Sequence, residues 1–462
     1  MRLSLPLSAA AGLMLPLAAF ASKAMAPLFA AAALAMLAGH VLKKRSFPPI
    51  PPRIGATLGA VLIYAATSAA WSLTPERTIA ASVPFAGLLL GVACLLGFAH
   101  RLDEEERIRV RTFLLIGVAV GLGLLVIERA FERPLMRAGN ALFGWGGSSA
   151  LFTLKPAATI AALLAWPFLL ALRRRASRAA TLAAAAVLLA IIAFAGAGAA
   201  ILGLALGGAV FFLARRWRRN TGPLLGVALA VFMIGAPWIP SLFPDPRVSM
   251  RGIEHLPNSA VHRIHIWQTT AAHIHERPWF GHGFDTARSL YPRQTTISIS
   301  LPKSTISGLN EIRGEPIPLH PHNMALQIWL EMGAVGAGLT LVVLLSALAT
   351  LARMPLDKTE RAAGYGFFVT TLTIAAVAYG AWQAWWLAAL GLGATYLVVS
   401  FTGDATLGSK TRSYPTEIPA KTDPAPAPSA PQPEEVAETG GPRGKDPTRY
   451  GDWEKNGRAI DF

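Results

Sequence analysis

Apolar stretches of close to twenty residues, separated by short polar connections, recur from residue 3 to residue 401. A helix needs about 20 mostly apolar residues to cross a bilayer. The pattern predicts spans near residues 3–20, 24–42, 54–73, 78–99, 112–127, 157–172, 179–195, 199–214, 223–240, 322–350, 362–380 and 382–401, about twelve in all. The connections alternate in charge. VLKKRSFPPIPPR, HRLDEEERIRVR, RRRASR, RRWRRN and RMPLDKTER together hold 19 Lys or Arg, whereas the short connections between them hold Lys23, Arg77, Arg129, Arg133, Arg137 and Lys155. Positive-inside logic puts the first set and both termini in the cytoplasm. The start, with Arg2, an apolar run and Ala24-Met25-Ala26, also fits a cleaved signal peptide. The second apolar run follows almost at once and favours a retained span.

Composition narrows the class. With 53% hydrophobic residues, 15% charged residues and a mean hydropathy of +0.45, the bulk of the chain is neither an ordinary soluble domain nor disordered. The expected fold is an all-α polytopic membrane protein. The net charge of +16 would ordinarily suggest nucleic acid, but residues 1–401 hold 34 basic and 16 acidic side chains, mostly in the cytoplasmic connections, so topology explains it without a polyanion. Cys94 stands alone, which excludes an internal disulfide, a CxxC redox pair and a thiolate zinc site.

Two long segments fall outside the spans: 241–321 on the outer face, between the ninth and tenth spans, and a cytoplasmic tail from 402 to 462. Eight of the ten histidines (His255, His262, His265, His273, His275, His282, His320 and His322) lie in or beside the outer segment, together with Arg247, Arg251, Arg263, Arg277 and further basic residues. Three accounts compete. The residues could sit on the faces of a solvated amphipathic loop. His262 with His265, or His273 with His275, could ligate zinc, although no HExxH pair or Cys ligand supports a metal. Or a catalytic base could sit among arginines that bind phosphate.

The segment from Leu319 to Gly336 favours the third account. Pro321 predicts a helix start just after it, with His322 in the first turn at the outer surface, where the helix dipole would favour neutral imidazole. Asn323, Gln327 and Glu331 make one polar stripe on an otherwise apolar helix, and Glu331 is expected on the order of 13 Å below His322. A carboxylate at that depth must be paired with a cation, protonated, or open to a wet cavity. Gly333, Gly336 and Gly338 read as helix-packing positions.

His322-Asn323, nine residues, then Gly333-x-x-Gly336 resembles the signature of the O-antigen ligase and O-antigen polymerase superfamily. Arg263 with Trp267, followed by Pro278-Trp279-Phe280-Gly281-His282-Gly283, resembles that family's other two stretches. The resemblance covers roughly residues 50–400. It implies a GT-C-like fold with a large periplasmic loop between helices 9 and 10. It also implies a metal-independent, inverting transfer of a glycan from undecaprenyl pyrophosphate to an acceptor hydroxyl, in the bacterial inner membrane. His322 would be the base, supported by His320, Asn323, Gln327 and Glu331, and Arg263 would bind the pyrophosphate. Many members carry a Ser-Arg pair at the point corresponding to Phe194–Ala200, and here it is absent. A second cation must come from elsewhere; Arg137 and Lys155 are candidates, with plain interfacial anchoring the competing role for each. No metal or cofactor is expected. The single large basic loop favours a ligase with a lipid A core acceptor over a polymerase or a protein O-oligosaccharyltransferase. A transporter or channel with a metal- or anion-capturing loop would place ionisable groups mid-span, and Glu331 is nearly alone there.

The tail divides in two. Residues 402–439 read as a disordered linker rich in Pro and Ala. Residues 440–462, with PTRYGDWE at their centre, resemble the C-terminal signature of the small succinate dehydrogenase assembly factor family, which implies binding to the succinate dehydrogenase flavoprotein subunit in the cytoplasm.

Overall fold

A computed structural model describes residues 4–44, 52–143, 154–217, 219–253, 255–292, 295–300, 311–402, 453–454 and 459–460. The α-helices are α1 (Ser4–Ala21), α2 (Met25–Lys44), α3 (Pro52–Thr67), α4 (Pro75–Ala99), α5 (Glu104–Ala130), α6 (Pro134–Phe143), α7 (Lys155–Arg173), α8 (Arg178–Phe194), α9 (Gly198–Arg216), α10 (Thr221–Gly235), α11 (Asn258–Glu276), α12 (Met324–Arg353), α13 (Lys358–Val377) and α14 (Ala384–Ser400). Each predicted span overlaps one of these helices, although α3 and α10 end several residues before the predicted bounds; α6 and α11 lie in the connections. Six stretches are long and apolar enough by themselves to cross a membrane, the first joining α1 and α2: Ser4–Leu42, Pro75–Ala99, Glu104–Ala130, Lys155–Arg173, Gly198–Arg216 and Met324–Arg353. Shorter apolar helices occupy Gly55–Ala70, Arg178–Phe194, Thr221–Gly235 and Ala384–Ser400.

Residues 1–406 form one compact unit. Its centre is α7, whose side chains from Ala157 to Phe168 are all buried, against α14, α13, α5, α1 and α8. Small residues set the closest approaches. Gly203 and Gly207 of α9 lie on Thr370 and Ile374 of α13, where Thr370 takes the Trp166 indole N–H at 3.0 Å and gives its own hydroxyl to the Gly203 carbonyl. Without a hydrophobic drive between helices in lipid, such backbone proximity and polar pairing hold them together. The basic connections also serve the fold. Arg107, buried on α5, donates to the carbonyls of Ala99, Leu102 and Val398 and so closes the C-terminal ends of α4 and α14.

The described residues of the 241–321 segment are folded. They contribute α11, a strand pair β1 (Ile297–Ser300) and β2 (Glu311–Gly314) in antiparallel register, and a glycine-bearing turn from Pro278 to Ala287. The second unit, from residue 407 onward, has a short antiparallel pairing of β3 (Trp453–Glu454) with β4 (Ala459–Ile460). The expected linker at 402–439 lies outside the described residues beyond Thr402, and most of the 440–462 signature does as well.

Candidate active site

The site is organised by a break in α12. Gly333 has φ 61° and ψ −163°, a conformation essentially confined to glycine. The break leaves helix carbonyls and amides without i±4 partners, and the Pro278–Gly283 turn fills the gap as a wedge. His282 and Gly283 donate N–H groups to the carbonyls of Leu330 and Glu331 at 2.9 and 2.8 Å, and Ala334 and Val335 donate to the carbonyls of Pro278 and Trp279 at 2.8 and 3.2 Å. Gly281 and Gly283 have φ of 69° and 104°, and a Cβ on Gly281 would overlap the Glu331 backbone. This corrects the helix-packing reading of the glycines. Gly333 is the break itself, Gly336 abuts Met332 of its own helix across it, and Gly338 has open space around it.

Glu331 does not take the expected cation partner. Its side chain is fully buried, and among the described residues no cation pairs with it. Four N–H groups converge on the carboxylate instead. Asp285 N and the Trp382 indole donate to Oε2, the former at 2.6 Å, while Ala287 N at 3.1 Å and Gln327 Nε2 at 3.0 Å donate to Oε1. Gln327 returns its own oxygen to Ala381 N–H at 2.8 Å. The predicted stripe therefore ties the wedge, α12 and the α13–α14 connection into one buried network.

That connection holds the histidines. The helix starts at Met324 rather than at His322: Asn323 caps it, its Oδ1 accepting Leu326 N–H at 3.1 Å. His322 precedes the cap with φ 53°, so the expected dipole effect is not what keeps it neutral. Burial lowers its pKa from 6.5, and the nearby Arg263 and His262 add to the effect. His322 Nδ1 lies 2.8 Å from the Ala378 carbonyl. A carbonyl can only accept, so Nδ1 carries the proton and Nε2 is left as a free base. His320 Nδ1 accepts the His322 backbone N–H at 3.1 Å, so a neutral His320 is protonated at Nε2, where the Gln383 amide stands at 2.8 Å. A ring N–H there needs an acceptor, so the amide is assigned with its oxygen turned to His320. Burial, with His322, Arg288 and Arg263 nearby, pushes His320 down to about 3.

His320, His322 and Gln383 line a cavity of about 1420 Å³. Arg263 enters it from α11, where Trp267 fixes the helix by donating its indole N–H to the Pro321 carbonyl at 3.0 Å. Lys155 enters at the first turn of α7, and Tyr379, whose hydroxyl bonds Thr159 at 2.9 Å, closes one side. Gly196–Ala200, the point that lacks a Ser-Arg pair, also contributes to the lining. The described lining contains no Asp or Glu. Arg137 is elsewhere, exposed on α6 and ion-paired with Glu132 at 2.9 Å. Lys23 is in the lining, although its sequence context gives it no role. Among the described residues, no group of three or more His, Cys, Asp or Glu could hold a metal ion.

Residues 183–341, from α8 through the break in α12, match the family described as O-antigen ligase. Over that stretch, about a third of its length, the chain is similar to the O-antigen ligase family. The matched O-antigen ligase segment holds Arg263, the wedge, His322 and Glu331; Lys23 and Lys155 lie outside it. Relatives named "Putative polysaccharide ligase" come from Rickettsia felis, 28% identical over 282 residues (61% of this chain, 65% of the relative), and Rickettsia conorii, 27% identical over 298 residues (64% and 68%). The alignment thus spans just under two thirds of the Rickettsia felis protein. Residues 416–462 match a second family, described only as a protein of unknown function.

Proposed function

We propose that the chain transfers a glycan from undecaprenyl pyrophosphate to an acceptor hydroxyl on the periplasmic face of the bacterial inner membrane, with lipid A core as the acceptor. The carrying observation is His322: a neutral imidazole with its proton on Nδ1 and Nε2 free, near Arg263, in a cavity that Lys155 also lines and whose described lining has no carboxylate. The acceptor oxygen attacks the anomeric carbon and its proton passes to His322 Nε2. The bond from that carbon to the pyrophosphate oxygen breaks, and its electron pair leaves with the pyrophosphate. Arg263 and Lys155 stabilise the developing negative charge. The twelve apolar helices supply twelve spans, both termini are cytoplasmic, and the tail reaches the succinate dehydrogenase flavoprotein subunit there.

The glycolipid profile of a deletion strain tests this reading. Bare lipid A core with accumulated lipid-linked polymer is expected, and it should persist when His322→Ala is supplied in trans, since a general base contributes about 10²- to 10⁴-fold. Core bearing a single repeat would assign a polymerase instead. Full restoration by His322→Ala would overturn the mechanism.

A further inference from the structure

Breaking the anomeric bond adds one negative charge to the pyrophosphate, while the proton goes to the imidazole and does not neutralise it. The leaving group is therefore most in need of cations at the moment it departs, and cations already in place act without reorganisation. Six basic residues lie in the short connections opposite the basic loops, a side where positive charge is disfavoured. Four are arginines, and none enters the cavity lining. Arg77 is paired with Asp285 at 3.0 Å and Arg137 with Glu132, and Arg129 lies over the Phe194 ring. The remaining two, Lys23 and Lys155, both line the cavity, and no ion pair among the described residues involves either.

Lys23 sits on the 3-10 turn Ser22–Ala24 between α1 and α2, which packs on α14. Ser22 and Phe20 of the same turn region also line the cavity. The part of the lining at Gly196–Ala200 has no side chain beyond a methyl group and offers no cation of its own. We infer that Lys23 is a third pyrophosphate-binding residue, beside Arg263 and Lys155. The inference rests on the proposed donor, an isoprenoid pyrophosphate, and assigns a residue outside the matched family segment to its charged end.

The test is binding of farnesyl pyrophosphate to the purified full-length protein in detergent. Lys23→Ala should weaken binding about ten-fold, equivalent to ~1.4 kcal/mol, while Lys23→Arg, which keeps the charge, should bind close to wild type. Arg129→Ala, which removes a charge from the same side but outside the lining, should have no effect. Wild-type binding by Lys23→Ala, with loss of binding in Arg263→Ala, would overturn the inference and leave the proposed function standing. Equal weakening by Arg129→Ala would also overturn it, because the effect would then be diffuse surface charge. A wild-type protein that binds no farnesyl pyrophosphate would remove the donor reading and this inference with it.

Discussion

Glu331→Gln isolates the buried network. Each carboxylate oxygen accepts two N–H groups: Asp285 N and the Trp382 indole at Oε2, Ala287 N and Gln327 Nε2 at Oε1. An amide keeps the shape but has only one acceptor atom. Whichever way it turns, two donors face an NH2 group, and that NH2 has no acceptor. Hydrogen bonds to a charged group contribute about 1.5 to 3 kcal/mol each, so two lost bonds amount to about 3 to 6 kcal/mol, the upper end reduced by relaxation of the turn. Because Asp285 and Ala287 belong to the segment that fills the break, the loss should fall on the wedge before the bundle. The assay is limited proteolysis around residues 278–287 together with thermal unfolding in detergent. Early cleavage there, a lowered melting temperature and reduced transfer are expected. A Glu331→Gln protein that resists protease and melts as wild type would refute the argument that the four donors need a carboxylate.

Two further outcomes follow from the same geometry. Gly333→Ala must force a residue with a Cβ into a backbone region essentially reserved for glycine and against the Trp279 carbonyl; a cost of about 1 to 3 kcal/mol from the backbone alone should appear as lowered thermal stability and loss of transfer, whereas Gly338→Ala, in open space, should behave as wild type. The acid limb of the pH–rate profile should lie below pH 6.5, because the base must be neutral and burial lowers the pKa of His322. Stability should follow the same sign. His265, pushed down to about 4 by burial and by Arg247, and His320, pushed down to about 3, take up protons on unfolding, so their contribution is fully present above pH 6.5 and declines as the pH falls towards 4. Acid melting curves check this, and stability that is flat from pH 7 to pH 4.5 would contradict it.

The helical stretches were legible because a bilayer demands length and apolarity, and both are read directly from the residues. His322, Asn323, Gln327 and Glu331 were legible as a group for a related reason: polar side chains at i, i+4 and i+8 stand out on an apolar helix. The break at Gly333 was not. A Gly-x-x-Gly spacing is the same string of letters whether a second helix or a turn comes close, and the turn that comes close lies about fifty residues earlier in the chain. The resolution of Glu331 was hidden for a comparable reason, since two of its four donors are backbone amides, which carry no residue signature. Lys155 and Arg137 stood as equal candidates in the sequence and Lys23 stood as none; what separates Arg137 from the two lysines is its place outside the cavity and its partner, Glu132, which only the fold reveals.

The wedge bears on how the chain is made. Four backbone groups freed by the break in α12 are satisfied only by residues 278–283, and hydrocarbon offers such groups no substitute. Those residues precede α12 in synthesis. On the proposed topology, those residues have to cross the membrane before α12 can close its break against them. A delay in export of the 241–321 segment would leave α12 inserting with an unsealed backbone. The proposed topology thus carries a timing requirement: the segment that seals the break in α12 is made first and has to be in place before the helix can be complete.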